Sequence, residues 1–164
     1  NFFKQFGLKK IGYGYEPFSS GKDRNLIYLN DKNFNFIPLI CYEIIYSGKI
    51  NLKSEQTNFI INISEDGWFG DSVGPHQHFS HAIFRAIEEG KNIIRSTNNG
   101  MSGYIDSNGI VISKLESTKK GVIEINKYKK FNETLFSKFG NKIFFYIILF
   151  CIGLIFFIKR WENK

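Results

Sequence analysis

Residues 38–46 read Pro-Leu-Ile-Cys-Tyr-Glu-Ile-Ile-Tyr (PLICYEIIY), the end of an apolar run that stops on a cysteine and sets a carboxylate two residues later. The run over 34–40 reads as a strand. Cys41 therefore stands at a strand end. There it is either a small packed core residue or a nucleophile delivered to a rim where loops gather. A thiol acts at neutral pH only beside a base or a positive group. Glu43 is the nearest candidate, since in an extended chain it points to the same side as Cys41; its plainer role is to hydrogen-bond the local backbone. The backbone amide of Tyr42 is a candidate donor to an oxyanion formed on an attacked carbonyl.

Working outward, 58–63 (NFIINI) is almost continuously apolar and β-branched, the pattern of a strand buried on both faces. It breaks into a glycine-punctuated loop, 64–71 (SEDGWFGD). Trp68 and Phe69 there either line an apolar pocket beside the nucleophile or cap the core. A helix is predicted over 75–89, with Phe79, Ala82, Ile83, Ala86 and Ile87 on one apolar face. Pro75 suits its first turn and Gly90 its C-terminal cap. On that wheel His78, His81 and Arg85 fall on the polar face. Short strands follow over 92–97, 103–106, 110–115 and 121–125, with Asp-Ser-Asn-Gly at 106–109 as a hairpin turn. Upstream, 1–24 reads as loop and 25–28 as a short strand. At 95–100 (RSTNNG) a strand runs into polar residues that either orient a substrate or make the turn. This order of elements gives an α/β layered architecture.

The formal charge is +7, from 22 Lys and Arg against 15 Asp and Glu. Nucleic acid and an anionic membrane surface both fit such a balance. No nucleic-acid-binding motif accompanies it, and the 18 Phe and 8 Tyr fall mostly in apolar runs, so nucleic acid is not expected as a partner. The membrane reading has direct support in 143–158 (IFFYIILFCIGLIFFI), which carries no charge and is flanked by Lys142, Lys159, Arg160 and Trp161. At helical rise this stretch covers roughly 24 Å, and snorkelling Lys and Arg stems extend its reach. A transmembrane helix over 142–160 is expected, joined to the soluble part by a basic connector over 129–141. Basic residues on both sides of the span leave its orientation undecided.

Cys151 lies inside the apolar span and Cys41 outside it, so no intrachain disulfide is expected. His76, His78 and His81, with Asp71 nearby, suggest a metal site at first sight. Arg85 among those positions opposes a cation, so neither metal nor cofactor is expected. The chain opens on Asn and its single methionine is Met101, which together suggest a partial chain whose upstream half is missing.

The series ICYEII, INISEDGWFGDSVGPHQHF and RAIEEGKNIIRSTNNGMSGYIDSNGIV, closed by the apolar span, resembles the C-terminal part of bacterial apolipoprotein N-acyltransferases, within the nitrilase superfamily. The resemblance implies the C-terminal half of a nitrilase-like α-β-β-α sandwich over 1–128, followed by the last transmembrane helix of a multi-pass protein of the inner membrane. Its catalytic domain would face the periplasm. The implied activity moves an acyl chain from a glycerophospholipid to the N-terminal amine of a diacylglyceryl-cysteine apolipoprotein. Under the resemblance Cys41 matches the thioester-forming cysteine, Glu43 a supporting carboxylate, and Trp68 a tryptophan of a mobile substrate loop. The family's glutamate base and lysine lie upstream without counterparts here, which implies that this piece alone is inactive. Two other readings stay open: a nitrilase-type amidohydrolase, in which water resolves the acyl-enzyme, and a membrane-tethered module in which Cys41 only packs.

Overall fold

A computed structural model describes residues 21, 25–29, 34–48, 50, 57, 59–117, 119–128 and 133–162. The expected loop over 1–24 falls almost wholly outside these residues. Six strands form one mixed sheet in sequence order: β1 (Ile27–Leu29), β2 (Phe34–Ile40), β3 (Phe59–Glu65), β4 (Asn92–Asn98), β5 (Ser102–Ile105) and β6 (Val111–Leu115). The three central strands β2, β3 and β4 run parallel, and β1, β5 and β6 pair antiparallel at the flanks.

The crossover from β3 to β4 is helix α1 (Gly74–Glu89). Pro75 sits in its first turn, where a missing N–H costs nothing. Gly90 closes it at φ 64, donating its N–H to the Ala86 carbonyl. Phe79, Ala82 and Ala86 pack on Ile37, Leu39, Ile60, Ile93 and Ile105 to make the core. The buried stripe, however, is Pro75, His78, Phe79, Ala82, Arg85, Ala86 and Glu89. The sequence wheel is corrected here: Ile87 is exposed, whereas His78 and Arg85 are buried. His78 and Arg85 are buried because partners await them: Asp66 for the first, the Ile45 carbonyl for the second.

The other face of the sheet is apolar but less covered. Ile40 and Ile63 are exposed there, and Ile61 and Ile94 are half-buried. Among the described residues, then, β3 is closed over on one face, although its sequence pattern predicts two. Part of this face is crossed by residues 119–128, where the Tyr128 ring meets that of Phe59 at 4.8 Å. The strand expected over 121–125 is absent: that segment is irregular. The hairpin turn forms as expected, with Asp106 Oδ1 accepting from the N–H groups of Asn108 and Ile110 at 2.9 Å each.

The expected connector holds a short helix, α2 (Leu135–Phe139), capped by Thr134, whose hydroxyl accepts from the Ser137 N–H at 2.9 Å. The same hydroxyl donates to the Glu88 carbonyl, tying the connector to the end of α1. Helix α3 (Lys142–Glu162) follows directly. Its stretch from Lys142 to Trp161 is long and apolar enough to cross a membrane, with mean hydropathy 2.3 and none of it buried against the rest of the chain.

Candidate active site

Chain geometry decides how Cys41 is presented. β2 stops at Ile40, and residues Cys41–Ile45 wind into a 3-10 turn whose buried Ile44 anchors it to the core. Cys41 is half-buried and adopts φ 50, the left-handed region that non-glycine residues rarely occupy. The alternation expected of an extended chain therefore does not apply to Glu43. Its carboxylate folds back and accepts the Ile40 N–H at 2.7 Å, which takes up the last donor of β2.

Beneath the turn lies a row of buried polar groups set by strand register. Leu39 pairs with Asn62 and Asn62 with Arg95 across three adjacent parallel strands. Asn62 Nδ2 donates to the carbonyls of Leu39 at 3.1 Å and Cys41 at 3.3 Å. Its Oδ1 accepts from Arg95 Nη1. A guanidinium has no acceptor, so this contact fixes which way the Asn62 amide faces. Arg95 Nη2 reaches both Asp66 oxygens, at 3.1 and 2.8 Å. Asp66 also accepts from the Ser64 hydroxyl at 2.7 Å and lies 3.0 Å from His78 Nδ1. The same Nδ1 lies 3.1 Å from Arg95 Nη2, so His78 faces both members of the ion pair.

Burial pushes the Asp66 carboxyl up, but hydrogen bonds from His78 and Ser64 and the charge of Arg95 outweigh it and hold the group below its usual range. Burial draws the Arg95 guanidinium down, and the Asp66 charge and its hydrogen bonds oppose that. An arginine so paired stays protonated at any physiological pH. Two rings flank His78: Tyr42, with centroids 5.5 Å apart, and Phe69, at 5.6 Å. The cluster thus joins the Cys41 turn, the loop after β3, α1 and β4.

Of the residues expected from sequence, Cys41, Tyr42 and Phe69 come together around His78 and Asn62, and Glu43 braces the turn. Phe69 lies under the start of α1, where a Cβ on Gly74 would meet its ring at 2.5 Å. Trp68 points away: it is 86% exposed on the 3-10 turn Gly67–Phe69. His76 is exposed and His81 half-buried, so the three histidines do not converge. Burial, then the charges of Arg85 and His78, lowers the His81 pKa. Arg85, expected at the surface, donates to the Ile45 carbonyl at 3.0 Å and to Glu88 at 2.7 Å, closing the far end of the cysteine turn.

Asn62, Asp66 and the buried role of Arg95 escaped the sequence reading. For Asn62 and Arg95 the signal was a polar residue at an inward position of a strand; Asp66, in the loop after β3, carried no such signal. The 95–100 stretch divides between the two faces of the sheet. Asn98 donates to Glu65 Oε2 at 2.5 Å, and its carbonyl receives the Asp66 N–H at 3.0 Å. A cleft of about 590 Å³ opens along this stretch between Ser96, Asn98, Lys119 and Ile123, but Cys41 is not part of its lining.

A strand-end cysteine over a buried polar cluster, on a mixed α/β sheet, is an arrangement compatible with the carbon–nitrogen hydrolase family. The profile of that family, carbon-nitrogen hydrolase, matches residues 15–126, and the chain belongs to it. Within it, the chain is similar to apolipoprotein N-acyltransferases: 42% identical to that of Wigglesworthia glossinidia brevipalpis, over 77% of this chain and 26% of the relative. It is 36% identical to that of Rhizobium rhizogenes, over 98% of this chain and 30% of the relative. The chain therefore spans between about a fifth and a third of the length of the curated relatives it matches. Among solved structures, an amidase from Nesterenkonia sp. superposes with a TM-score of 0.48 at 15% identity, covering 63% of this chain and 43% of that one. By its family membership and its own sheet and helices, the chain is a nitrilase-like α/β layer followed by an apolar helix.

Proposed function

We propose that this chain is part of an enzyme that moves a fatty acyl group from a membrane glycerophospholipid to the N-terminal amine of a diacylglyceryl-cysteine apolipoprotein. Cys41 is its nucleophile. The carrying observation is the left-handed Cys41 at the C-terminal end of a central parallel strand, in a chain similar along most of its length to apolipoprotein N-acyltransferases. Ligands and reacting groups gather at such strand ends in open α/β sheets.

The chemistry runs in two steps. The Cys41 thiolate attacks the ester carbonyl, the C–O bond breaks, and the glycerol oxygen leaves with a proton as lysophospholipid. The acceptor's amine then attacks the thioester, loses a proton as the amide forms, and returns the thiolate. Tyr42 N–H is the oxyanion donor, and Glu43 holds the turn in shape. Trp68 stands out from the loop as an acyl-chain or acceptor contact, with Phe69 fixed behind it. The glutamate base and the lysine implied by the family resemblance belong to the upstream part of the protein. Exposed α3 anchors the site in the inner membrane beside both lipid substrates, with the catalytic domain on the periplasmic side. Confinement to one surface raises the local concentration of donor and acceptor.

The family also contains hydrolases, so water is the competing acceptor. The test is a product assay on the full-length protein in phospholipid vesicles with a diacylated lipopeptide. Lysophospholipid and N-acylated peptide in equal amounts, lost in Cys41→Ala, are expected. Free fatty acid as the main product would replace the transferase with a hydrolase.

A further inference from the structure

The reading of Cys41 as nucleophile leaves open what holds its backbone in a conformation that a cysteine does not choose. A non-glycine residue at φ 50 persists only where its surroundings over-determine it. Glu43 and Arg85 brace the two ends of the turn, and one buried side chain holds the bend itself. Asn62 Nδ2 bridges the carbonyls of Leu39 and Cys41, on either side of the bend. We propose that Asn62 is a positioning residue for acyl transfer, which orients the oxyanion-binding N–H of Tyr42 through the Cys41 carbonyl.

The reasoning is stereochemical. The Cys41 C=O and the Tyr42 N–H belong to one planar trans peptide and point in opposite directions. Asn62 is fully buried and draws the carbonyl inward. The N–H is thereby turned outward, to the rim where a substrate carbonyl meets the thiol. Arg95 claims Asn62 Oδ1, so the amide cannot flip and offer oxygen to the two carbonyls. Arg95 is in turn held by Asp66, and Asp66 by Ser64 and His78. The Tyr42 ring against His78 pins the same peptide from its other side. Asn62 thus acts on the reaction without touching substrate.

The discriminating substitution is Asn62→Asp in the full-length protein. It keeps the size of the side chain and strengthens the acceptor for Arg95, but removes the donor to the two carbonyls. Two rates are measured on vesicle-embedded enzyme: acyl-adduct formation on Cys41 from phospholipid, and alkylation of Cys41 by iodoacetamide. Alkylation is a displacement at saturated carbon and forms no oxyanion. The expected result is acylation slowed by about a hundredfold, the usual cost of a lost oxyanion donor, in kcat rather than KM, with alkylation unchanged. Acylation at the wild-type rate overturns the proposal, and so does a parallel loss of both rates. Should the aspartate variant not fold, Asn62→Ser carries the test: its single shorter donor gives partial acylation, and an undiminished rate overturns the proposal. A wild-type enzyme that forms no Cys41 adduct at all sinks the nucleophile reading instead, and leaves the two failures distinguishable.

Discussion

At the C-terminal ends of β2, β3 and β4 the buried charges Asp66 and Arg95 bond each other and Asn62, Ser64 and His78, whereas near the N-terminal end of β4 the buried pair is Glu89 and Lys91. Lys91 Nζ donates to the Thr57 carbonyl at 2.7 Å, but neither Glu89 oxygen accepts a hydrogen bond from a described residue. The consequences run in opposite directions. Asp66 is held below its usual range, so its cluster keeps its charges through neutral pH. Burial pushes Glu89 up to about 7, and burial draws Lys91 down to about 8. Partnering, not burial, separates a rigid ionic scaffold from a titrating one. The scaffold stands under Cys41.

Breaking the scaffold has the largest expected effect. Arg95→Ala leaves Asp66 buried without its counter-charge and should destabilise the full-length protein by about 3–5 kcal/mol in urea unfolding. A loss below about 1 kcal/mol would mean that the cluster is not the bonded unit described.

The opposite end should respond with the opposite sign. Glu89→Gln removes a carboxylate that must otherwise ionise without hydrogen bonds, and should stabilise the protein at pH 8 by about 2–3 kcal/mol. The pH dependence follows. Glu89 has a raised pKa in the folded state, so its contribution is fully present below 4.5 and is lost as pH rises through about 7. Lys91, lowered from 10.5 to about 8, adds stability as pH rises from 8 toward 10.5. Asp66 contributes above 3.8 and its contribution is lost as pH falls below that value. Unfolding midpoints of wild type, Glu89→Gln and Lys91→Met across pH 4–10.5 check the Glu89 and Lys91 windows, and wild type carried below pH 3.8 checks that of Asp66.

A subtler intrusion sharpens the contrast. A Cβ added at Gly100 would overlap the Asp66 carboxylate, so Gly100→Ala should cost about 1–3 kcal/mol by pushing the carboxylate off Arg95. Gly153→Ala in α3 meets nothing within 4 Å and should leave unfolding unchanged. The smallest effect belongs to the connector: Thr134→Ala removes the α2 cap and its tie to Glu88, a loss of about 1 kcal/mol. Cys41 acylation should not change in that variant.

The sequence made the strands and the main helix readable because their signals are local: β-branched runs, Pro75 and Gly90 at the helix ends, and Asp106 to Gly109 at the hairpin. Cys41 was legible for the same reason, as the residue on which an apolar run stops. The 121–125 strand was misread because alternating Val and Ile look the same whether or not a neighbouring strand pairs with them. Of the two roles read for Glu43 the backbone hydrogen bond formed, and the same-side placement did not, because nothing local announces that Cys41 turns left-handed. The cluster beneath it was the least readable part. Asn62, Asp66, His78 and Arg95 come from four separate segments and meet only through strand register and helix rotation. On the helical wheel, His78 and Arg85 look like solvent-facing polar residues until their partners are in place.

The central claim is that Cys41, held in its left-handed turn, forms a thioester with a phospholipid acyl chain. The most direct measurement is the intact mass of the full-length protein purified from phospholipid membranes without acceptor peptide, beside its Cys41→Ala variant. A hydroxylamine-labile acyl adduct on the first and none on the second is the expected result. An unmodified Cys41 under those conditions would return the residue to the core and contradict the account.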